Sequence, residues 1–409
     1  MDKTSPLIVL ALLVGGLALL PLIEATSSGR HGGVGGSLAP TTESTKTVPD
    51  NRTATAAATR RQPAATTGAP PTASHSPPDV AGADYLLISG ADLMAQPTGV
   101  AAWEDLEAVA DAPPGRADLT DQDNRHGVRA LAAALVFART GDEAYEAKAR
   151  QAIIEAIGTE REGADNSILA LGRQLAAYVL AADFIRLSGD DDREFRSWLS
   201  EIRTRELGGH GRWRSLTATH EDSINNWGAF AGASRIAASL YLGDTIDVAR
   251  AATVLRGFLG DRDAWNDWEP LNRHDVEWAC DPDAYTPINP PCWRSGINLD
   301  GAIVADISRA GGLGWPPGRT ALIYTLESLQ GLAVQAELLH QNGYDAWEWS
   351  DRALMRAALF VDRADGWNII SVGRHVPWLF NERYALKIPE WRARYGRLLG
   401  YTDWLYRGD

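Results

Sequence analysis

The sequence predicts an all-α domain of antiparallel helix pairs in a closed or nearly closed ring, preceded by a disordered stalk. Three observations carry this. From Asp84 onward apolar residues recur at helical spacing, and strand alternation is scarce. The breaks Thr140-Gly141-Asp142, Ser188-Gly189-Asp190 and Leu242-Gly243-Asp244 fall between helical runs, where Gly suits a helix C-terminus and Asp the next N-cap. No strict repeat is visible, which disfavours an open solenoid.

The elements follow in order. Residues 1–25 hold an uncharged apolar run, Pro6 to Ile23, behind Lys3. Its length lies between a signal-peptide core and a membrane span. A small-residue cleavage pattern is poor after it, and no Cys follows to carry a lipid. The segment is read as a signal peptide or an N-terminal membrane anchor, giving a secreted or extracytoplasmic membrane-anchored protein. Residues 26–82 are rich in Thr, Ala, Ser, Gly and Pro and lack aromatics, so they cannot bury enough surface to fold. Residues 83–409 form the folded domain. Helices are predicted at Val128–Arg139, Glu143–Ile157, Ile168–Leu187, Glu194–Arg205, Trp227–Leu242 and Ile246–Leu259. After a long loop come Gly301–Ala310, Thr320–Gln341, Tyr344–Val361 and a C-terminal set within Pro389–Tyr406. The run Ile168–Leu187 is apolar nearly all round and should lie inside.

The totals bound the function. With 409 residues and 45% hydrophobic content, the chain can build a sizeable core. Net charge is −14, and residues 1–80 contribute six basic and five acidic groups, so the acidity belongs to the folded part. That excludes nucleic acid as the expected partner. An anionic sugar is compatible, because a cleft can be locally basic on an acidic protein. All 15 Trp lie between Trp103 and Trp404. Exposed Trp faces stack on sugar rings, although a core role is the commoner use. Cys280 and Cys292 flank a Pro-rich loop and should pair if the domain is exported. No Cys/His cluster has metal-ligand spacing, so neither metal nor cofactor is expected.

The chemistry concentrates in two stretches. In Thr219-His220-Glu221-Asp222-Ser223-Ile224-Asn225-Asn226-Trp227-Gly228, two amides open a helix, where side chains and free N–H groups can receive an anion. The second runs from Asp300-Gly301 through Arg309-Ala310-Gly311-Gly312 and Trp315-Pro316-Pro317 to Tyr324 and Glu327. A uronic acid polymer is cut by β-elimination when a base removes the proton beside the carboxylate and an acid protonates the leaving oxygen. The carboxylate must be neutralised to make that proton acidic, which calls for Asn, Arg, His and Tyr. Asn225, Asn226 and Arg309 are expected to neutralise it, with Tyr324 as acid and as base, and His220 as the other candidate base. Trp227, Arg173, His126, Trp315 and Trp278 are expected to bind substrate. Arg173 interrupts an apolar helix, so it is paired or faces a cavity.

At these residues the chain resembles the alginate-lyase-like superfamily, over most of 84–409. Asn225-Asn226 matches the superfamily's double-Asn position, Tyr324 in RTALIYTLESLQ its Tyr helix, and Arg309 the preceding Arg. It looks closest to a branch with THE…NNWG, D-G…R-x-G-G and GYDxWxW, here His220-Glu221, Asn225–Gly228, Asp300–Gly312 and Gly343–Trp349. The resemblance implies an (α/α) toroid, or incomplete (α/α)6 barrel, and a polysaccharide lyase acting on an acidic polysaccharide. One departure stands out, since Trp227 occupies the position of the superfamily's catalytic His. Two alternatives stay open. A toroid glycoside hydrolase would need two carboxylates roughly 5–10 Å apart, for which Glu221, Glu277, Asp281 and Asp300 are candidates. A non-catalytic protein binding acidic polysaccharide or cell wall would need no base.

Overall fold

Tight Gly-Asp turns make the first helix pairs. The computed structural model describes residues 84–161, 167–208, 215–268, 271–369, 375–392 and 398–406. The apolar run and the stalk lie outside these residues. Two short helices lead in, α1 (Gly90–Ala95) and α2 (Ala101–Asp111). Then α3 (His126–Thr140) ends at Gly141, whose φ of 75° is a left-handed value that suits glycine, and Asp142 caps α4 (Glu143–Ala156) through the Ala144 amide at 2.9 Å. Next come α5 (Ser167–Phe184), α6 (Gly189–Ile202), α7 (Leu216–Asp222) and α8 (Asn226–Leu242). Gly243, at φ 71°, and Asp244, capping the Asp247 amide, turn the chain into α9 (Thr245–Leu259). The third break departs from expectation. Gly189 already belongs to α6, Ser188 precedes it without a side-chain cap, and Asp190, Asp191 and Asp192 sit in the first turn, where they favour the helix dipole.

A loop region follows, with α10 (Arg273–Trp278) and an antiparallel pair β1 (Trp293–Arg294) and β2 (Ile297–Asn298). Cys280 and Cys292 are disulfide-bonded there, with Cα atoms 6.0 Å apart. The predicted helix Gly301–Ala310 is shorter, comprising α11 (Val304–Ile307) and a 3-10 turn, Ser308–Ala310. Then come α12 (Arg319–Gln341), α13 (Trp349–Arg363), α14 (Val376–Tyr384) and α15 (Thr402–Leu405). The C-terminal expectation is corrected. Residues 385–392 are not helical, because Asn381 bonds both the amide and the carbonyl of Ile388, and the Trp378 indole donates to the Trp391 carbonyl. These bonds fold that segment back onto α14.

The architecture is predominantly helical, and the described residues share one compact unit. By length and composition α5 could cross a membrane, yet all 18 of its residues are buried in the fold, as an inner helix requires. Three inner helices run parallel. Asn226 meets Glu327, Ala229 meets Gly331 and Gly232 meets Gln335, so α8 and α12 advance together. The Ser234 hydroxyl donates to the Gly172 carbonyl at 2.7 Å and accepts from the Ala176 amide, which sets α5 beside α8 in the same direction.

This spacing depends on glycine. A Cβ on Gly331 would stand 2.4 Å from the Ala229 carbonyl carbon and 2.7 Å from the Phe230 nitrogen. Gly331→Ala gains ~1 kcal/mol of helix propensity, but forcing the backbones apart costs about 1–3 kcal/mol or more. A net loss of stability is expected in chemical denaturation of the variant. An unchanged or raised midpoint would mean the helices do not meet there.

Candidate functional site

The two adjacent asparagines divide their work. Asn225 is the N-cap of α8, its Oδ1 accepting from the Trp227 amide at 2.9 Å and from the Ser223 hydroxyl at 2.7 Å. Its Nδ2 is the donor it has left. Asn226 is buried, and its Nδ2 donates to Glu327 Oε2 at 2.9 Å on α12. Arg173, on α5, donates to the same oxygen at 2.7 Å and lies over the Phe230 ring. The sequence left Arg173 either paired or facing a cavity, and the structure pairs it. An isolated buried guanidinium is costly, so Glu327 is what allows Arg173 to sit inside.

One turn before Glu327 on α12 is Tyr324, half-buried. The Arg309 guanidinium lies 4.0 Å from its ring centroid, and the Arg309 side chain is 37% exposed. Beneath Arg309, Asp306 is wholly buried. It accepts from the Ser328 hydroxyl of α12 and from the Asn226 amide, and its Oδ1 is 3.9 Å from Arg309 Nε. Burial pushes the Asp306 carboxyl up to about 7, opposed by Arg309 and these hydrogen bonds. Four residues singled out in sequence, Arg173, Asn226, Arg309 and Tyr324, therefore meet in one cluster. Glu327, Asp306 and Ser328 complete it and were not singled out.

The other candidates fall elsewhere. His220 is buried against Gly232, Gln335 and Arg235, with Arg235 Nη1 3.4 Å from its Nδ1. Gly232 is six residues beyond Asn226, about 9 Å along the helix. Burial and then Arg235 hold the His220 imidazole well below its ordinary range. It belongs to an ion network in which Arg235 pairs with Asp247 at 2.6 Å and with Glu221 at 2.9 Å. Two further expectations are corrected. Trp278 is fully buried, its indole donating to the Gly311 carbonyl at 2.9 Å, so it packs the core instead of facing substrate. His126 is also buried, its ring bonding the Tyr178 hydroxyl at 2.8 Å and its backbone amide donating to Asn124 Oδ1. Trp227 is partly buried against the core. Trp315 is 41% exposed, edge-on to Phe360.

The four carboxylates considered for a hydrolase are otherwise engaged. Glu221 pairs with Arg235 and Arg250, Asp300 with Arg356, Glu277 accepts from the Leu313 amide, and Asp281 from the Asp283 and Ala284 amides. Among the described residues no group of three His, Cys, Asp or Glu is placed to hold a metal. No family model matches the chain, and no curated protein matches it.

Two outcomes follow from the buried charges. Arg173→Met removes the buried cation beside the Glu327 carboxylate and should cost about 3–5 kcal/mol. Arg173→Met with Glu327→Leu should cost less than the two single changes added together, as a double-mutant cycle will read. Asp306 is protonated in the fold up to about pH 7, whereas an unfolded aspartate ionises at 3.8. Between these limits the native state binds more protons, so stability falls as pH rises, by up to ~1.4 kcal/mol per pH unit. Asp306→Asn should flatten that slope in denaturation curves taken across the range. Asp183, raised to about 6 by burial, leaves a residual slope of the same sign.

Proposed function

We propose that this chain is a polysaccharide lyase that cleaves a uronic-acid-containing polymer by β-elimination. The observation that carries the reading is the stacking of Arg309 on Tyr324, directly above the buried Asn226–Glu327–Arg173 knot. A cation over the face of a phenol ring spends no N–H donor on it and can turn donors to a carboxylate. Arg309 and the Asn225 amide supply the neutralising donors, and Tyr324 takes the proton and returns it to the leaving oxygen. Asn226 has its Nδ2 committed to Glu327 and is buried, so its part is to fix α8 against α12. His220 stands apart from this cluster and is assigned a structural part, which leaves both proton transfers with Tyr324, a syn elimination.

The fold fits this assignment. The parallel set α5, α8 and α12 supports an (α/α) toroid, in which outer helices run antiparallel to inner ones. Leu322 near the start of α12 packs by Gly366, just past the end of α13, in keeping with such a pair. Trp315 and Trp227 supply aromatic surface for sugar rings. An extracytoplasmic location fits the disulfide.

The test is elimination itself. The purified chain is offered alginate, polyglucuronate, hyaluronan, chondroitin, heparosan and pectate while the ultraviolet absorbance of the new conjugated double bond is followed. One polymer should give a rise, and Tyr324→Phe should reduce its rate by 10²-fold or more, the usual worth of a positioned acid/base. New reducing ends without that absorbance would instead establish hydrolysis. Binding that survives Tyr324→Phe, with no turnover of any polymer, would make the protein a non-catalytic binder.

A further inference from the structure

We propose that Asp306 is the positioning residue of this site: its carboxylate holds Arg309 over Tyr324, and its protonation lets Arg309 go, so that recognition of a substrate carboxylate is gated by pH. The inference rests on the lyase reading for its substrate, though not for its geometry. Asp306 has no exposed surface and is approached from three elements of the cluster. Ser328 donates to it from α12, the Asn226 amide from the first turn of α8, and Arg309 approaches from the 3-10 turn at 3.9 Å. It ties the turn carrying Arg309 to both helices bearing Tyr324 and Asn226.

The charges around it decide the direction. Arg309 is the cation that most favours its ionised form, and Glu327 on α12 opposes ionisation. Glu327 is itself satisfied by Arg173 of α5. From α10, Asp275 also attracts Arg309 electrostatically and accepts from the Ser308 hydroxyl, while the Tyr324 ring lies at the face of the guanidinium. Ionised, Asp306 attracts the Nε side of the guanidinium. Neutral, it offers Arg309 no charge, and the side chain, already 37% exposed, is free to leave the ring.

The experiment is a pH titration of the full chain labelled with 15N-arginine, following the Arg309 Nε–H signal, assigned by its loss in Arg309→Lys. The signal should titrate with a midpoint of about 7, keep a titration in Asp306→Glu, and lose it in Asp306→Asn. Ser328→Ala, which removes a donor to the carboxylate without removing the charge, should move the midpoint upward. A flat signal in the native chain, a titration that persists in Asp306→Asn, or an unmoved midpoint in Ser328→Ala would each overturn the proposal. With the polymer that is cleaved, KM should rise several-fold from pH 8 to pH 6 in the native chain, more than kcat changes, and should be independent of pH in Asp306→Asn. A KM that is flat in the native chain would overturn the gating. Absence of turnover on every uronan would sink the lyase reading while the Arg309 signal still decides Asp306.

Discussion

Everything near the site depends on one buried ion pair. Arg173 and Glu327 lie on different inner helices, both almost out of water, and Asn226 from a third donates to Glu327. Neither charge is tolerable alone in that interior, and each is stabilised only when α5, α8 and α12 lie at one height. The pair is therefore weak evidence for stability and strong evidence for register. Sliding α5 or α12 by one turn, about 5.4 Å, would strand a charge, and sliding α8 would break the Asn226 bond to Glu327. Since Tyr324 sits one turn above Glu327, and Asn225 one residue before Asn226, the pair also fixes where the exposed groups stand.

A second buried network repeats the logic lower down. Arg235 is wholly buried and bound by Asp247 and Glu221, and Arg203 joins through Asp247 at 3.0 Å. These cations hold the Asp247 carboxyl down at about 2 against the effect of burial. His220 belongs here, a neutral ring wedged where Gly232 leaves room. Two polar layers along one set of helices separate a part that stays closed from a part that reaches the surface through Arg309 and Tyr324. Gly331 and Gly172 let the helix backbones approach, and Gly232 leaves room for the His220 and Gln335 side chains.

Much of the fold was legible in the sequence, because helical spacing and Gly-Asp turns are local signals. The bounds of α3, α4, α8, α9 and α12 follow from them closely. The C-terminal region was not legible, since what sets it is the pinning of residues 388 and 391 by Asn381 and Trp378, a tertiary effect that periodicity does not register. The site was half legible. Arg173 drew notice as a charge in an apolar helix, and the same reasoning applied to Glu327 in α12 and Asp306 in its apolar run would have found both partners. Trp278 and His126 misled for one reason. Their residue types suit sugar binding, but only burial distinguishes a stacking face from a core ring, and burial is set by neighbours distant in sequence.

The most direct measurement is a crystal structure of the Tyr324→Phe chain with a short oligomer of the uronan it binds. The account predicts a sugar carboxylate against Arg309 and the Asn225 amide, with the adjoining ring carbon facing residue 324. A carboxylate bound elsewhere, with Arg309 still lying on the ring at position 324 and touching no sugar, would contradict it.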